Sequence, residues 1–249
     1  MKDSFNSFSQ FYIIISLFLS TFGEGKTLYV SVEGNDNNQG TRSDPFKSIS
    51  QASKIAEPGD TVFDVGANIG MFGLRMAQRC NGNIRIIAFE PIPDIRSCAE
   101  RNLDPWEHAH VLPYGVARER GEATFTFYPN APSLSSAHTG DWDGQADALE
   151  EAVVGNAQHA PMWYAKLVPR FLAKPIAKWL THAPVEFRCE LRTLSEIIEE
   201  HQVNELNLLK IDCEGAEEEA LLGLSEDDWK KVQLAVIEVH DIDGRLARI

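Results

Sequence analysis

The chain has 249 residues, enough for one α/β domain with an appendage, and its 43% hydrophobic and 24% charged residues exclude a disordered or fibrous protein. A formal net charge of −14 gives a surface that repels phosphate backbones, so nucleic acid is not an expected partner. The four cysteines are scattered without a CxxC pair, which favours a reducing compartment over a zinc site or a disulfide framework.

The N-terminus contains an apolar segment. Residues 11–22 are almost wholly hydrophobic over a length typical of a signal peptide, and the small residues Thr21 and Gly23 could form a cleavage site. The segment is short for a membrane span. We therefore predict a signal-like segment over residues 1–23, which implies membrane association or export through this segment alone. The alternative is a buried or disordered N-terminal tail.

Residues 24–58 form a second piece, an appendage with a short strand, a Gly/Asn/Asp turn cluster and a helix over 45–56. Residues 28–62 contain YVS, GND and PGDTV and resemble the N-terminal cap of secreted right-handed β-helix proteins of the pectate-lyase-like superfamily. A β-helix needs about three or more stacked coils, and no coil repeat follows in the sequence. We therefore interpret the chain as a fusion with a seam near residue 58.

From residue 59 onward, strand patterns alternate with helix patterns. Strands are predicted at 61–65, 84–89, 109–114, 124–128, 206–211 and 232–239, and helices up to residue 79 and at 93–102, 193–201 and 216–224. Strands that alternate with helices imply right-handed βαβ crossovers. The sequence therefore predicts an α/β domain with a mostly parallel sheet.

A glycine-rich turn joins the first strand of this domain to its helix. Residues 62–70 read VFDVGANIG, in which Gly66 permits a tight turn beneath a ligand and Gly70 lets the helix approach the strand. A dinucleotide site usually has Gly-x-Gly-x-x-Gly with N–H groups aimed at a pyrophosphate, which Asp64 would repel. S-adenosylmethionine (SAM) has no phosphate and carries a sulfonium and an ammonium, so the turn favours SAM.

Glu90 is the second element of this nucleoside site. It ends the second strand, where its carboxylate can accept hydrogen bonds from both ribose hydroxyls, and Ile92 can pack on the adenine. The alternative is a Rossmann-like loop with a structural turn and a surface glutamate. Because Asp64, Gly66, Gly70 and Glu90 lie in register on consecutive βα units, we favour the SAM site.

The motifs FDVGANIG, AFEP and LLKIDCEGAE closely resemble the FkbM-type methyltransferase domain over residues 57–245. The resemblance implies a Rossmann-like class I methyltransferase sheet and transfer of the SAM methyl group, typically to a hydroxyl. It implies an O-methyltransferase acting on a small molecule, a glycan or a carrier-bound natural-product intermediate. By the same resemblance, the SAM pocket would be lined by Asp64, Gly66, Asn68, Gly70 and Glu90.

Residues 210–217 read KIDCEGAE and begin at the carboxyl end of a predicted strand. Ligands bind at this end of the strands in open α/β sheets. Asp212 and Glu214 could orient or deprotonate the acceptor, or together hold a divalent cation that acidifies it. Glu214 could instead only favour the helix dipole. His240 at the end of the last strand is a further candidate base, and Lys210 could pair with one of the acids.

Residues 129–184 interrupt the strand–helix alternation and are predicted to form a lid over the acceptor. Basic residues recur there at every fourth position, namely Lys166, Arg170, Lys174 and Lys178. Such a ridge would fit an anionic acceptor, an acidic carrier protein or a membrane surface. We prefer the alternative, a solvated face over an aromatic core.

The sequence ends where methyltransferases of this class add a helix and a β-hairpin, so we expect a C-terminally truncated sheet with an open edge. SAM is made in the cytoplasm, and the domain over residues 59–249 is expected there. A working N-terminal signal would favour a rival interpretation, an inactive secreted or fused fragment related to carbohydrate-binding β-helix proteins. A nicotinamide-dependent oxidoreductase is the third alternative.

Overall fold

The structure is a computed structural model that describes residues 34–39, 43, 44, 46, 56–131, 170–213 and 215–240, and the backbone of two strands at 11–17 and 28–31. The chain divides into two compact units. The larger unit comprises Met1–Glu122 and Cys189–Ile249, and the smaller unit comprises Ala123–Arg188. The cofactor motifs predicted from the sequence belong to the larger unit.

The described elements are as follows in chain order. The strands are β1 (Phe11–Leu17), β2 (Leu28–Ser31), β3 (Thr61–Val65), β4 (Arg85–Phe89), β5 (Ala109–Leu112), β6 (Gly115–Val116), β7 (Gly121–Phe127), β8 (Val185–Arg192), β9 (Leu208–Ile211) and β10 (Leu234–His240). The helices are α1 (Met71–Arg79), α2 (Pro93–Leu103), α3 (Ala173–Leu180), α4 (Leu194–Glu200), α5 (Glu217–Leu222) and α6 (Glu226–Trp229).

The larger unit is built on a seven-stranded sheet with the strand order β2-β1-β10-β9-β3-β4-β5. The five strands from β10 to β5 run parallel to one another, whereas β1 pairs antiparallel with β10 and β2 pairs antiparallel with β1. The strands β3, β4 and β5 are joined through α1 and α2, as βαβ crossovers require. The prediction of an α/β, Rossmann-like methyltransferase sheet is confirmed.

The core lies on both faces of the parallel strands. Val62 of β3 packs in a cluster with Met76 of α1, and the next residue, Phe63, packs in another cluster with Ile197 of α4. Consecutive side chains of a strand point to opposite faces, so β3 is buried from both sides and its pattern is apolar rather than alternating. The polar residues of the motifs therefore collect at the strand ends, where the helices leave room.

The N-terminal apolar segment contributes a strand to this sheet. Phe11–Leu17 pairs with β10 along its whole length, from Phe11 opposite His240 to Leu17 opposite Leu234, and β2 pairs with β1 in turn. The expectation of an open edge beside the last parallel strand is therefore wrong, because β1 occupies that edge. None of the helices in the described part of the chain is long and apolar enough to cross a membrane. The signal-like role of residues 1–23 is a prediction that these findings do not support.

The appendage at residues 24–58 is described in part. Its predicted strand is β2, and its predicted turn cluster forms a turn in which the backbone N–H of Asn37 donates to Oδ1 of Asn35 at 3.0 Å. The N–H of Gln39 donates to Oδ2 of Asp44 at 3.2 Å. Most of the helix predicted over 45–56 lies outside the described residues.

The smaller unit contains most of β7, the start of β8 and α3. The rings of Phe127 and Phe187 lie 6.2 Å apart, and Nδ2 of Asn130 donates to the backbone oxygen of Trp179 at 2.9 Å. The α3 helix exposes Lys174 and Lys178 and buries Ala173 and Ala177. Residues 132–169, which hold most of the predicted lid and Lys166 of its basic ridge, lie outside the described residues.

Candidate functional site

The turn after β3 depends on a glycine at position 66. Gly66 has φ of 71°, a left-handed conformation, and a Cβ there would lie 1.8 Å from the backbone oxygen of Asp212. The chain leaving β9 therefore requires a glycine at position 66, and the tight turn beneath a ligand stays a prediction. This close approach joins the end of β3 to the end of β9.

The backbone N–H groups of the turn are occupied within the protein. The N–H of Ala67 donates to the Phe89 oxygen at 3.0 Å, and the N–H of Gly70 donates to the Ala67 oxygen at 2.8 Å. The N–H of Asn68 donates to Oε2 of Glu90 at 3.1 Å, and the N–H of Ile69 donates to Oδ1 of Asn68 at 2.7 Å. A phosphate-binding turn directs such groups at its ligand, and this turn does not.

Gly70 serves helix packing rather than the approach of a helix to a strand. A Cβ on Gly70 would lie 3.2 Å from Cα and Cβ of Ala99 on α2. The contact between α1 and the sheet occurs at Gly73, where a Cβ would lie 3.3 Å from Cγ2 of Ile86. The predicted reason for Gly70 was therefore wrong, since that reason applies to Gly73.

Glu90 follows β4 and is buried, with 6% of its surface exposed. One carboxylate oxygen accepts the N–H of Asn68, and the other accepts the N–H of Ile92 at 3.0 Å. Burial raises the pKa of Glu90 to about 7, although the two N–H groups and Lys210 oppose the shift. Ile92 is buried beside it at 3% exposure. Ribose contacts by Glu90 and adenine packing on Ile92 remain predictions.

Asp64 and Lys210 form a buried ion pair across β3 and β9. Nζ of Lys210 lies 3.1 Å from Oδ1 of Asp64, which has no exposed surface, and 3.5 Å from Oδ2 of Asp212. Burial lowers the pKa of Lys210, but Asp64 and Asp212 outweigh it, so the pKa lies above its ordinary value. The sequence predicted that Asp64 contacts the cofactor cation. Lys210 would compete for that contact, because it already faces the carboxylate of Asp64.

The acidic turn after β9 is described except for Glu214, which lies outside the described residues. Asp212 is partly exposed, and its N–H donates to the Val65 oxygen at 3.1 Å. Burial raises the pKa of the Cys213 thiol well above its ordinary value. Glu217 is buried and accepts the N–H of Gly215 at 2.7 Å, a contact that shapes the start of α5.

His240 ends β10, and its backbone lies opposite Phe11; its side chain is outside the described part of the structure. Within the described residues, no group of three or more potential ligands could hold a metal ion. The two predicted cation ligands were Asp212 and Glu214, and only Asp212 is described. The divalent cation is therefore still a prediction.

Comparison with known families identifies the domain. The methyltransferase FkbM domain matches residues 64–247, which contain the turn after β3, Glu90, Lys210 and β10. The chain belongs to the FkbM methyltransferase family. A second match, to a protein family of unknown function (DUF1565), covers residues 32–68 and falls largely on the appendage.

Curated relatives agree with the family. The chain is 34% identical over 193 residues to the 31-O-demethyl-FK506 methyltransferase FkbM of Streptomyces tacrolimicus, covering 77% of this chain and 70% of the relative. It is 34% identical over 189 residues to the AMB antimetabolite synthetase AmbE of Pseudomonas aeruginosa, covering 75% of this chain but 9% of that protein. The hexuronic acid methyltransferase AglP of Haloferax volcanii is 26% identical over 189 residues, covering 74% of this chain and 58% of the relative.

One residue that supports the turn after β3 was not predicted from the sequence. Nδ2 of Asn102, near the end of α2, donates to the backbone oxygen of Ile69 at 2.7 Å. Asn102 is separated from the turn by a whole βα unit, so neither spacing nor a local motif indicates the contact. The side chain of Asn68, in contrast, bonds locally at φ of 51°, a left-handed conformation that asparagine tolerates.

Proposed function

We propose that the chain is a SAM-dependent O-methyltransferase that modifies a hydroxyl of a small molecule, a glycan or a carrier-bound intermediate. One observation carries the choice of cofactor: the N–H groups of residues 67–70 are consumed within the protein. A dinucleotide would need such groups for its pyrophosphate, and SAM has no phosphate. Membership of the FkbM methyltransferase family supports the same choice.

The groups at the carboxyl ends of β3, β4 and β9 suit a cationic nucleoside. The anchored carboxylate of Glu90 keeps lone pairs for two ribose hydroxyls, because each oxygen accepts one backbone N–H. Asp212 is 29% exposed and offers negative charge to an ammonium or a sulfonium. When bound, SAM supplies an electrophilic methyl group. The protein's part is to hold the nucleoside, orient the acceptor and take up a proton.

Asp212 is the favoured group for orienting or deprotonating the acceptor hydroxyl. Its carboxylate is the partly exposed member of the cluster with Asp64 and Lys210, and it lies at the ligand end of β9. Lys210 has a raised pKa and is held as a cation, so it cannot accept a proton. His240 and Glu214 are the other candidates, and a divalent cation on Asp212 and Glu214 is a further route.

The relatives' names support an acceptor that bears hydroxyls, since one is a 31-O-demethyl-FK506 methyltransferase and another a hexuronic acid methyltransferase. The exposed Lys174 and Lys178 of α3 give an acidic carrier protein a surface to contact. We place the reaction in the cytoplasm, where SAM is made.

The proposal is tested by incubating the full chain with SAM that carries a tritiated methyl group and a panel of hydroxyl-bearing small molecules and glycans. We expect label in a product that resists base, as a methyl ether does. Asp212→Asn should lower the rate at least tenfold, whereas Asp227→Asn, at an exposed carboxylate on α6, should leave it unchanged. Label on nitrogen, or in a base-labile ester, would contradict O-methylation at a hydroxyl.

A further inference from the structure

The buried ammonium group of Lys210 contacts backbone oxygens as well as carboxylates. Its Nζ lies 2.8 Å from the backbone oxygen of Gly66 and 3.2 Å from that of Val65, besides the carboxylates of Asp64 and Asp212. We propose that Lys210 is a positioning residue, whose buried ammonium fixes the cofactor turn to the end of β9 and neutralises Asp64. The inference deepens the proposed function and rests on it.

The donors of Lys210 leave nothing for a substrate. An ammonium has three N–H groups and no lone pair. Two of them serve the oxygens of Val65 and Gly66, and the third faces the carboxylates of Asp64 and Asp212. Lys210 therefore cannot bind the acceptor or remove its proton. Its contacts instead hold the backbone that the cofactor would meet.

The register of the sheet determines that Asp64 and Lys210 form a pair. Asp64 lies directly opposite Lys210 in the parallel ladder of β3 and β9, so both side chains project to the same face. A slip by one residue would send one of them to the opposite face, leaving two unpaired charges in the core. The ion pair thus selects the register that also brings the backbone of Asp212 against Gly66.

Neutralisation of Asp64 decides which carboxylates can meet the cofactor. Asp64 has no exposed surface and is matched by Lys210, whereas Asp212 is partly exposed. Lys210 also lowers the pKa of Glu90, opposing the effect of its burial. One buried cation therefore pairs with Asp64 in the core and leaves Asp212 and Glu90 to face a cationic nucleoside.

A double-mutant cycle separates this role from a merely structural one. The full chain is prepared as Lys210→Met, Asp64→Asn, the combined variant and Lys210→Arg, with Lys230→Met at an exposed lysine as the control. Urea unfolding gives the stability, and calorimetry gives the affinity for S-adenosylhomocysteine. Lys210→Met leaves a buried carboxylate without its cation, so we expect its unfolding constant to rise at least a hundredfold.

The combined variant removes both charges. We expect its unfolding constant to be at least tenfold below that of Lys210→Met. Its affinity for S-adenosylhomocysteine should still be at least tenfold below that of the wild type, because the two backbone oxygens have lost their donor. Lys210→Arg should bind more tightly than Lys210→Met, and Lys230→Met should match the wild type in both measurements.

Wild-type affinity in the folded combined variant would overturn the positioning role. Additive effects of the two substitutions on stability would overturn the neutralisation of Asp64 by Lys210. A stable wild type that binds no S-adenosylhomocysteine would overturn the proposed function and, with it, the role of Lys210 toward SAM. The stability cycle distinguishes that failure, because it measures the ion pair without a ligand.

Discussion

Glu90 is the residue whose protonation depends most directly on the fold. Its side chain is buried between the turn after β3 and the start of α2, where it accepts the N–H groups of Asn68 and Ile92. Two hydrogen bonds favour the carboxylate, but the loss of water around it costs more, and its pKa rises from 4.5 to about 7. Hydroxyl donors from a bound nucleoside would favour the ionised form again.

The raised pKa of Glu90 predicts how stability varies with pH. Between pH 4.5 and 7 the folded state binds more protons at this site than the unfolded state, so the contribution of Glu90 to the unfolding free energy falls as pH rises. The fall amounts to about 3 kcal/mol. Urea unfolding at a series of pH values should show the trend in the wild type and not in Glu90→Gln.

Other carboxyl groups titrate over the same range, so the comparison needs a matched variant. Glu119→Gln replaces an exposed carboxylate in the turn before β7, and its stability should run parallel to that of the wild type at every pH. Parallel curves for Glu90→Gln and the wild type from pH 4.5 to 7.5 would contradict the raised pKa of Glu90.

The sequence predicts which residues form the site better than it predicts the contacts of their side chains. The motifs located Asp64, Gly66 and Glu90 at strand ends, because strand length and turn chemistry are local properties. The clash of a Cβ on Gly66 with the Asp212 oxygen, and the pair of Asp64 with Lys210, depend on which strands are neighbours. The strands β3 and β9 are far apart in the chain, and a single sequence does not give their register.

Among the strands and helices, β1 has a register against β10 that can be tested directly. Its seven residues pair with β10 in one antiparallel register, in which Ile14 lies opposite Ile237. Residues opposite each other on antiparallel strands bring their Cα atoms within the range that a disulfide spans. Ile14→Cys with Ile237→Cys should therefore form a disulfide under mild oxidation, detected by mass spectrometry of the linked peptide.

The control moves one cysteine by a single residue. Ile15 lies opposite Val236, so Ile15→Cys with Ile237→Cys places the two side chains on opposite faces of the sheet and should form no link. Equal linking in both pairs, or linking in neither, would contradict the register. Linking of the first pair alone would show that the apolar N-terminal segment is part of the folded sheet.

The elements differ in how far the sequence predicts them. The helix predicted over 193–201 is observed as α4 at Leu194–Glu200, and the structure adds a capping box of Thr193 and Glu196 at its start. The apolar run containing β1 fits a signal peptide and a buried strand equally well, because neither requires alternation. The predicted strand at 109–114 ends earlier, at Leu112 of β5, and the short strand β6 that follows at Gly115–Val116 was not predicted.

For the whole molecule, function follows from where the parallel strands end. The carboxyl ends of β3, β4 and β9 bring together a turn whose N–H groups are already occupied, a buried glutamate and a partly exposed aspartate. Acidic groups placed in this way suit a cationic nucleoside and repel a pyrophosphate. The alternation of strands and helices predicted this architecture, whereas the place of β1 beside β10 depends on a pairing distant in sequence.

We propose that the carboxyl ends of β3, β4 and β9 bind the SAM nucleoside and not a dinucleotide. The measurement is a calorimetric titration of the full chain with S-adenosylhomocysteine, beside a titration with NADH. We expect micromolar affinity for S-adenosylhomocysteine, a loss of at least tenfold in Glu90→Gln, no change in Glu119→Gln, and no binding of NADH. A folded protein that binds NADH, or that binds S-adenosylhomocysteine equally well without the Glu90 carboxylate, would contradict it.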